Sequence, residues 1–199
     1  MQELALVMAG ERLDAPEEQL VLLVKRAKSG DIAAFEEILG RYERQVLGTA
    51  LRLLGRNLED AKDAAQQVFL RLHRGLRQLD ENRQFESWLY RVTVNVCRDM
   101  LRVRIRKPAV QLEGTEHRSY APGADEMMVH SEQIQLIYDA LDTLSERERA
   151  ALVLRDLEGI ATKEVARILG TSEVTVRCHI SSARVKIRKF VDRQSRRRL

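Results

Sequence analysis

The chain has 199 residues, 32% of them charged and only 5% aromatic, with a formal net charge of +4 at pH 7. That length suits one ordinary domain or two small ones, and few aromatics beside abundant Ala, Leu, Arg and Glu disfavour a sheet protein and point to an all-α fold. No run of about 18 apolar residues and no leader-like N-terminus occurs, so a cytoplasmic protein without membrane insertion of its own is expected; Cys97 and Cys178, far apart and without a Cys or His at ligand spacing, promise neither a disulfide nor a metal.

Residues 1–16 carry no clear pattern and read as an N-terminal extension. From residue 17 to 107 the pattern is helical with short breaks. Leu20, Leu23, Val24 and Ala27 form one face that stops at Ser29-Gly30. Asp31 then stands where an N-cap belongs, ahead of Ile32, Phe35, Ile38, Tyr42, Val46, Ala50 and Leu53. Gly55-Arg56-Asn57 reads as a turn, followed by an apolar stripe of Ala61, Ala65, Val68, Phe69 and Leu72. After the polar loop 80–84 come Phe85, Trp88, Leu89, Val92, Val96 and Met100. The β-branched run Val92-Thr93-Val94-Asn95-Val96 alternates like a strand, but the helical spacing from Phe85 to Met100 runs through it unbroken, and a helix is expected there.

From residue 108 to 131 the periodicity gives way to Pro108, Gly114, Pro122 and Gly123, the composition of a flexible linker. A second helical unit, 132–199, opens with Ile134, Ile137, Leu141 and Leu144 on one face and a capping box from Ser145 to Glu148. Within it a short helix ends at Gly170 and another begins at the N-cap candidate Ser172. A helix-turn-helix and a plain helical hairpin both fit that pattern. The second helix turns Val176 and Ile180 inward and Glu173, Thr175, Arg177, His179, Ser181 and Arg184 outward, where a recognition helix meets base edges.

Charge is distributed unevenly. Between Pro108 and Glu146 the acids face one base, Arg118, whereas Arg98, Arg102, Arg104, Arg106 and Lys107 face only Asp99, and the bases from Arg177 onward face only Asp192. Two basic clusters flanking an acidic centre suit a polyanion, because each neutralised phosphate releases counterions. The same opposition suggests that the acidic linker covers a basic face in the free protein.

These residues resemble the extracytoplasmic function class of the bacterial sigma-70 family, whose members are two helical domains, regions two and four, on a flexible linker. The stretch Asp60 to Leu72 is similar to the family helix that docks on the clamp helices of the largest RNA polymerase subunit, with Asp63, Gln66, Gln67 and Phe69 at the docking positions; the family usually has an acid where Gln67 stands. Phe85 to Asn95, continuing to Arg102, resembles the segment that reads and opens the minus-ten promoter element. There the resemblance assigns Asn82, Arg83, Asn95, Arg98 and Arg102 to DNA, and Phe85, Trp88 and Leu89 fit a core more readily than a base-stacking platform. Leu144 to Arg184 resembles the minus-thirty-five reader, which assigns Ser172, Thr175, Arg177, Cys178, His179, Ser181, Ser182 and Arg184 to DNA. The resemblance further implies core RNA polymerase as partner, with region four near the flap of the second-largest subunit, and an anti-sigma factor that would hold the chain at a membrane. It implies no cofactor, metal or catalytic residue.

Three rival classes remain at this point. An enzyme lacks a phosphate-cradling loop, a metal-ligand pair or a nucleophile motif. A conventional helix-turn-helix regulator would lack the Asp63–Leu72 and Trp88–Arg102 blocks. A purely protein-binding adaptor has no use for paired basic clusters.

Overall fold

The computed structural model describes residues 17–79, 85–106 and 126–197. The N-terminal extension, the loop with Asn82 and Arg83, and the linker up to residue 125 lie outside them. Every element among the described residues is helical, so the all-α expectation holds.

The first unit grows from one repeated device: apolar residues at i and i+4, closed by a residue that can cap. Helix α1 (Glu17–Lys28) buries Leu23, Val24 and Ala27 and ends at Gly30, whose φ is +97°. Asp31 accepts the Ala34 amide at 3.1 Å and pairs with Arg26 at 2.7 Å. The amide bond and then the guanidinium hold its carboxyl below its ordinary range. Helix α2 (Ile32–Leu54) buries Ala34, Ile38, Tyr42, Val46, Ala50 and Leu53. Its first residue, Ile32, read as part of that stripe, is 73% exposed instead, because it precedes the turn that packs.

A left-handed pair, Gly55 (φ +77°) and Arg56 (φ +68°), turns the chain, and the Asn57 side chain accepts the Asp60 amide at 3.1 Å to start α3 (Leu58–Gly75). The small residues Ala61, Ala64 and Ala65 let α3 lie close on its neighbours, while Val68 and Leu72 fill the core. After a 3₁₀ turn (Leu76–Gln78) comes α4 (Phe85–Arg106). Its strand-like run is helical: Thr93, Val94, Val96 and Cys97 are all buried, and Thr93 donates its hydroxyl to the Leu89 carbonyl at 2.9 Å, so burying that polar group leaves it satisfied.

The second unit begins with α5 (Glu126–Asp142), whose start lies inside the range read as linker. Ser145 and Glu148 form the expected capping box of α6 (Glu146–Leu152). One feature without a counterpart in the periodicity follows, a π turn at Val153–Leu157 that carries the chain to Glu158 and Gly159 (φ +70°). Helix α7 (Thr162–Leu169) stops at Gly170 (φ +65°), and α8 (Glu173–Arg197) restarts where Ser172 accepts the Thr175 amide at 3.1 Å. Val165 and Ile168 of α7 meet Val176, Ile180 and Ala183 of α8 in the core. This is the helix-turn-helix rather than a plain hairpin.

The two units pack together, and their buried residues form one continuous core. Polar contacts cross the seam: Arg149 donates to the Leu53 carbonyl at 3.3 Å, Arg91 to the Arg167 carbonyl at 2.8 Å, and Arg98 pairs with Glu146 at 3.0 Å. Arg56 bonds Gln135 and lies 5.1 Å from the Tyr138 ring centroid, and burial pushes the Tyr138 hydroxyl up.

Candidate functional site

Three outward faces carry the candidate residues. On α3, Asp63, Gln66 and Gln67 are exposed on one face. Leu70, 51% exposed, completes that face at the i+7 position from Asp63. Phe69 does not belong to it: the ring is partly buried and packs on the core. The periodicity already pointed to Leu70, since 63, 66, 67 and 70 share a helix face while 61, 65, 68 and 72 share the opposite one.

On α4, Arg91, Asn95, Arg98 and Arg102 follow one another at i, i+4, i+7 and i+11, a single stripe. Asn95 and Arg102 are exposed. Arg98 is held by Glu146 and its side chain is 27% exposed. Arg91, not singled out from the sequence, extends the stripe toward the second unit. Phe85 and Leu89 lie in the core, and Trp88 packs against Gly75, where a Cβ would meet Cζ2 at 3.1 Å. These three are packing residues. The basic end of α4 is tempered by Arg71 with Asp99 at 3.1 Å and Arg104 with Asp60 at 3.8 Å.

On α8 the eight candidates divide. Ser172 and Thr175 are occupied with each other, hydroxyl to hydroxyl at 2.8 Å, and fix the helix start. Ser182 donates to Glu148 at 2.6 Å, and Arg184 makes two bonds to Asp156 at 2.9 and 2.8 Å, so both brace α8 against the preceding helical segment. His179 is partly buried. Arg177, Cys178 and Ser181 face outward, with Arg177 near Glu173 at 3.1 Å. Val174 (65% exposed) and Val185 (51%) share that outward stripe. Their signal was again spacing: 174, 178, 181 and 185 lie opposite 176, 180 and 183.

Glu148 is the electrostatic centre beneath α8. Burial raises its carboxyl, but bonds from Lys186 (2.7 Å), Ser182 and Ser145 outweigh that and take it down to about 2. A buried anion thus anchors the helix from the side opposite its outward face. Among the described residues no helix is long and apolar enough to cross a membrane.

A four-helix unit with an exposed polar face on α3, packed on a helix-turn-helix unit, defines a helical DNA-binding architecture in two parts. Residues 38–106 match the family described as sigma-70 region 2, and residues 134–187 match sigma-70, region 4. Over 83% of its length the chain is 32% identical to the ECF RNA polymerase sigma-E factor of Haemophilus influenzae, covering 91% of that protein. It is 34% identical to the ECF RNA polymerase sigma factor SigM of Mycobacterium tuberculosis over 82% of this chain and 80% of that one. The solved structure of CnrH in complex with the cytosolic domain of CnrY aligns at a TM-score of 0.64 and 26% identity, covering 86% of this chain and 96% of CnrH. The fold is shared, at a TM-score of 0.64 and 20% identity, with the sigma factor RpoE of Bartonella quintana solved with the anti-sigma factor NepR; 79% of this chain and 96% of that one are covered. The chain belongs to the extracytoplasmic function class of the sigma-70 family. It is an RNA polymerase sigma factor, the subunit that binds core polymerase, directs it to promoters and promotes initiation.

Proposed function

We propose that the three faces divide that task among them. The α3 face of Asp63, Gln66, Gln67 and Leu70 docks on the clamp helices of the largest polymerase subunit, with Phe69 supporting it from beneath. The second unit lies near the flap of the second-largest subunit. The α4 stripe, together with Asn82 and Arg83, holds the minus-ten element as it opens, and α8 enters the major groove at the minus-thirty-five element. Phosphodiester chemistry belongs to the polymerase, and the chain brings no cofactor.

The observation that carries this reading is the conjunction of a polar docking face and two DNA-sized helix faces on one chain that matches both family regions. Asn95 and Arg102 stand exposed on a basic helix, able to track a strand whose opened bases need compensating contacts for a few kcal/mol of unstacking. On α8, exposed Arg177 carries the forked guanidinium that commonly reads a guanine edge, and Val174 offers apolar surface of the kind that meets a thymine methyl. The domain limits follow the same division: 17–107 for region two and 132–199 for region four, with 108–131 as the connection, of which 126–131 already belong to α5. An anti-sigma factor, the kind of partner with which RpoE has been solved, is expected to mask these faces and to hold the chain, cytoplasmic in this reading, at a membrane.

Permanganate reactivity of unpaired thymines tests the assignment. Replacing Asn95 and Arg102 by Ala should lower promoter opening by the assembled holoenzyme about tenfold or more, two charge-assisted contacts being removed, while core binding is unchanged. Undiminished opening in the double variant would remove these residues from the reading.

A further inference from the structure

The basic end of α8 takes no part in the division of labour above. The region 4 match stops at residue 187, whereas α8 runs on unbroken to Arg197. Residues 188–196 hold Arg188, Lys189, Arg193 and Arg196, all exposed, against one acid, Asp192. Charge is handled differently on the two sides of residue 187. Before it, Arg167, Arg177, Arg184 and Lys186 sit on Glu164, Glu173, Asp156 and Glu148 respectively. Beyond it, among the described residues, Arg188, Lys189 and Arg196 have neither an ion pair nor a side-chain hydrogen bond, and Arg193 bonds only the Lys189 carbonyl at 3.1 Å. Lys189, Arg193 and Arg196 follow at i, i+4 and i+7, where like charges repel, so the pattern does not serve the helix itself.

Register ties this end to the reading face. Arg188 is i+7 from Ser181, Lys189 is i+11 from Cys178 and i+4 from Val185, and Arg196 is a further i+7 from Lys189. All three therefore point the way that Arg177, Cys178 and Ser181 point. Distance separates them from base edges: Arg188 lies about 16 Å along α8 from Arg177, and Arg196 about 28 Å, at about 1.5 Å per residue. The major groove is about 12 Å wide, and a recognition helix meets base edges with its N-terminal residues. With that part of α8 on base edges, the helix has left the groove by Arg188 and faces the sugar-phosphate ridge. Unpaired cations fit that ridge, because each phosphate they neutralise releases counterions whatever the sequence beneath.

We propose that Arg188, Lys189 and Arg196 form a phosphate clamp, a second DNA contact that grips the duplex beside the minus-thirty-five element without reading it. The clamp rests on the assignment of α8 to that element. It separates affinity from specificity along one helix: Arg177, Cys178 and Ser181 meet the bases, and the end beyond residue 187 adds a hold that is the same on any sequence. Asp192, one turn from both Arg188 and Arg196, offsets part of that charge.

The test compares holoenzyme made with the unaltered chain and with the triple variant Arg188→Gln, Lys189→Gln, Arg196→Gln, on a promoter duplex selected from random sequence by the unaltered holoenzyme. The three side chains are exposed and hold no partner, so circular dichroism should be unchanged. Plotted as log affinity against log salt, the variant should have a slope shallower by about 2–3, at about 0.9 per phosphate, and at physiological salt it should bind about tenfold or more weakly. The ratio of affinities for that promoter and for one with a scrambled minus-thirty-five element should stay the same, since phosphate contacts carry no sequence information. On a duplex whose phosphates flanking the element are replaced by uncharged methylphosphonates, the two holoenzymes should bind alike. An unchanged salt slope would overturn the clamp. A loss that persists in full on the methylphosphonate duplex would overturn it too and assign the basic end to the polymerase, and an altered affinity ratio would place these side chains on bases. If the unaltered holoenzyme did not distinguish the scrambled element at all, the assignment of α8 would fall and the clamp with it, an outcome separate from any change of slope.

Discussion

Replacing Asp63 by Arg and Leu70 by Asp should reduce core-dependent initiation about a hundredfold or more and leave the helical content unchanged. Both side chains point away from the core, Asp63 exposed and Leu70 51% exposed, so the substitutions touch no buried partner and stability should move by less than about 1 kcal/mol. Interface anchors, by contrast, commonly lose about 2 kcal/mol each on truncation, and reversing a charge adds repulsion against a surface built to receive the original sign. Two such losses amount to about 4 kcal/mol, more than two decades in affinity. Run-off transcription at fixed core concentration reads the effect. Phe69→Ala separates docking from packing, because its ring sits on the core: it should lower the unfolding free energy by about 1–3 kcal/mol. If the Asp63/Leu70 variant initiated normally, the α3 face would not be the docking surface.

Glu148→Ala should destabilise the helix-turn-helix unit by about 2–4 kcal/mol at neutral pH. The substitution removes half of the α6 capping box and the acceptor for Ser182 at 2.6 Å and Lys186 at 2.7 Å. A lost cap costs about 1 kcal/mol, and bonds to a charged acceptor about 1.5–3 kcal/mol each before the released groups recover water. The pH dependence has a definite sign. The folded carboxyl sits at about 2, below its ordinary value of 4.5, so its contribution is complete above about 4.5 and disappears as pH falls toward 2. Denaturant unfolding from pH 7 down to 2 should therefore show the gap between the original protein and Glu148→Ala wide at pH 7 and narrowing in that acid window. A gap that stays constant with pH would mean that the carboxylate is not what braces α8.

Much of the fold was legible because its boundaries are written in local chemistry. Asp31, Ser145 and Ser172 cap the helices that follow them, and Gly30 and Gly170 stop the helices they were expected to stop. Even the run Val92–Val96, which alternates like a strand, was decided by the longer 3.6-residue pattern around it, since burial on α2 and α3 outweighs β-propensity. Less legible were side chains whose partners are distant in sequence. Ser182 and Arg184 look outward by helical spacing, yet Glu148 and Asp156 hold them, because a neighbouring helical segment rises beside α8. The resemblance places Phe69 among the docking positions, although its angle on α3 puts the ring against the core. The π turn at Val153–Leu157 has no periodic signature, and it is what delivers Glu158 to partners at Thr49 and Arg52, 109 and 106 residues away. No local pattern encodes such a contact; it exists only once the two units meet.

The most direct test of the central claim is reconstituted transcription with purified core polymerase on promoters selected from random sequence by the holoenzyme. The expected result is transcripts with one defined start that appear only when the protein is added to core. They should be lost when about half a helical turn, roughly 5 base pairs, is inserted between the two promoter elements, because two readers on one polymerase must meet the same face of the duplex. Specific binding to duplex DNA by the protein alone, with no defined transcript from core plus protein, would contradict it and make the chain a regulator that binds DNA without initiating.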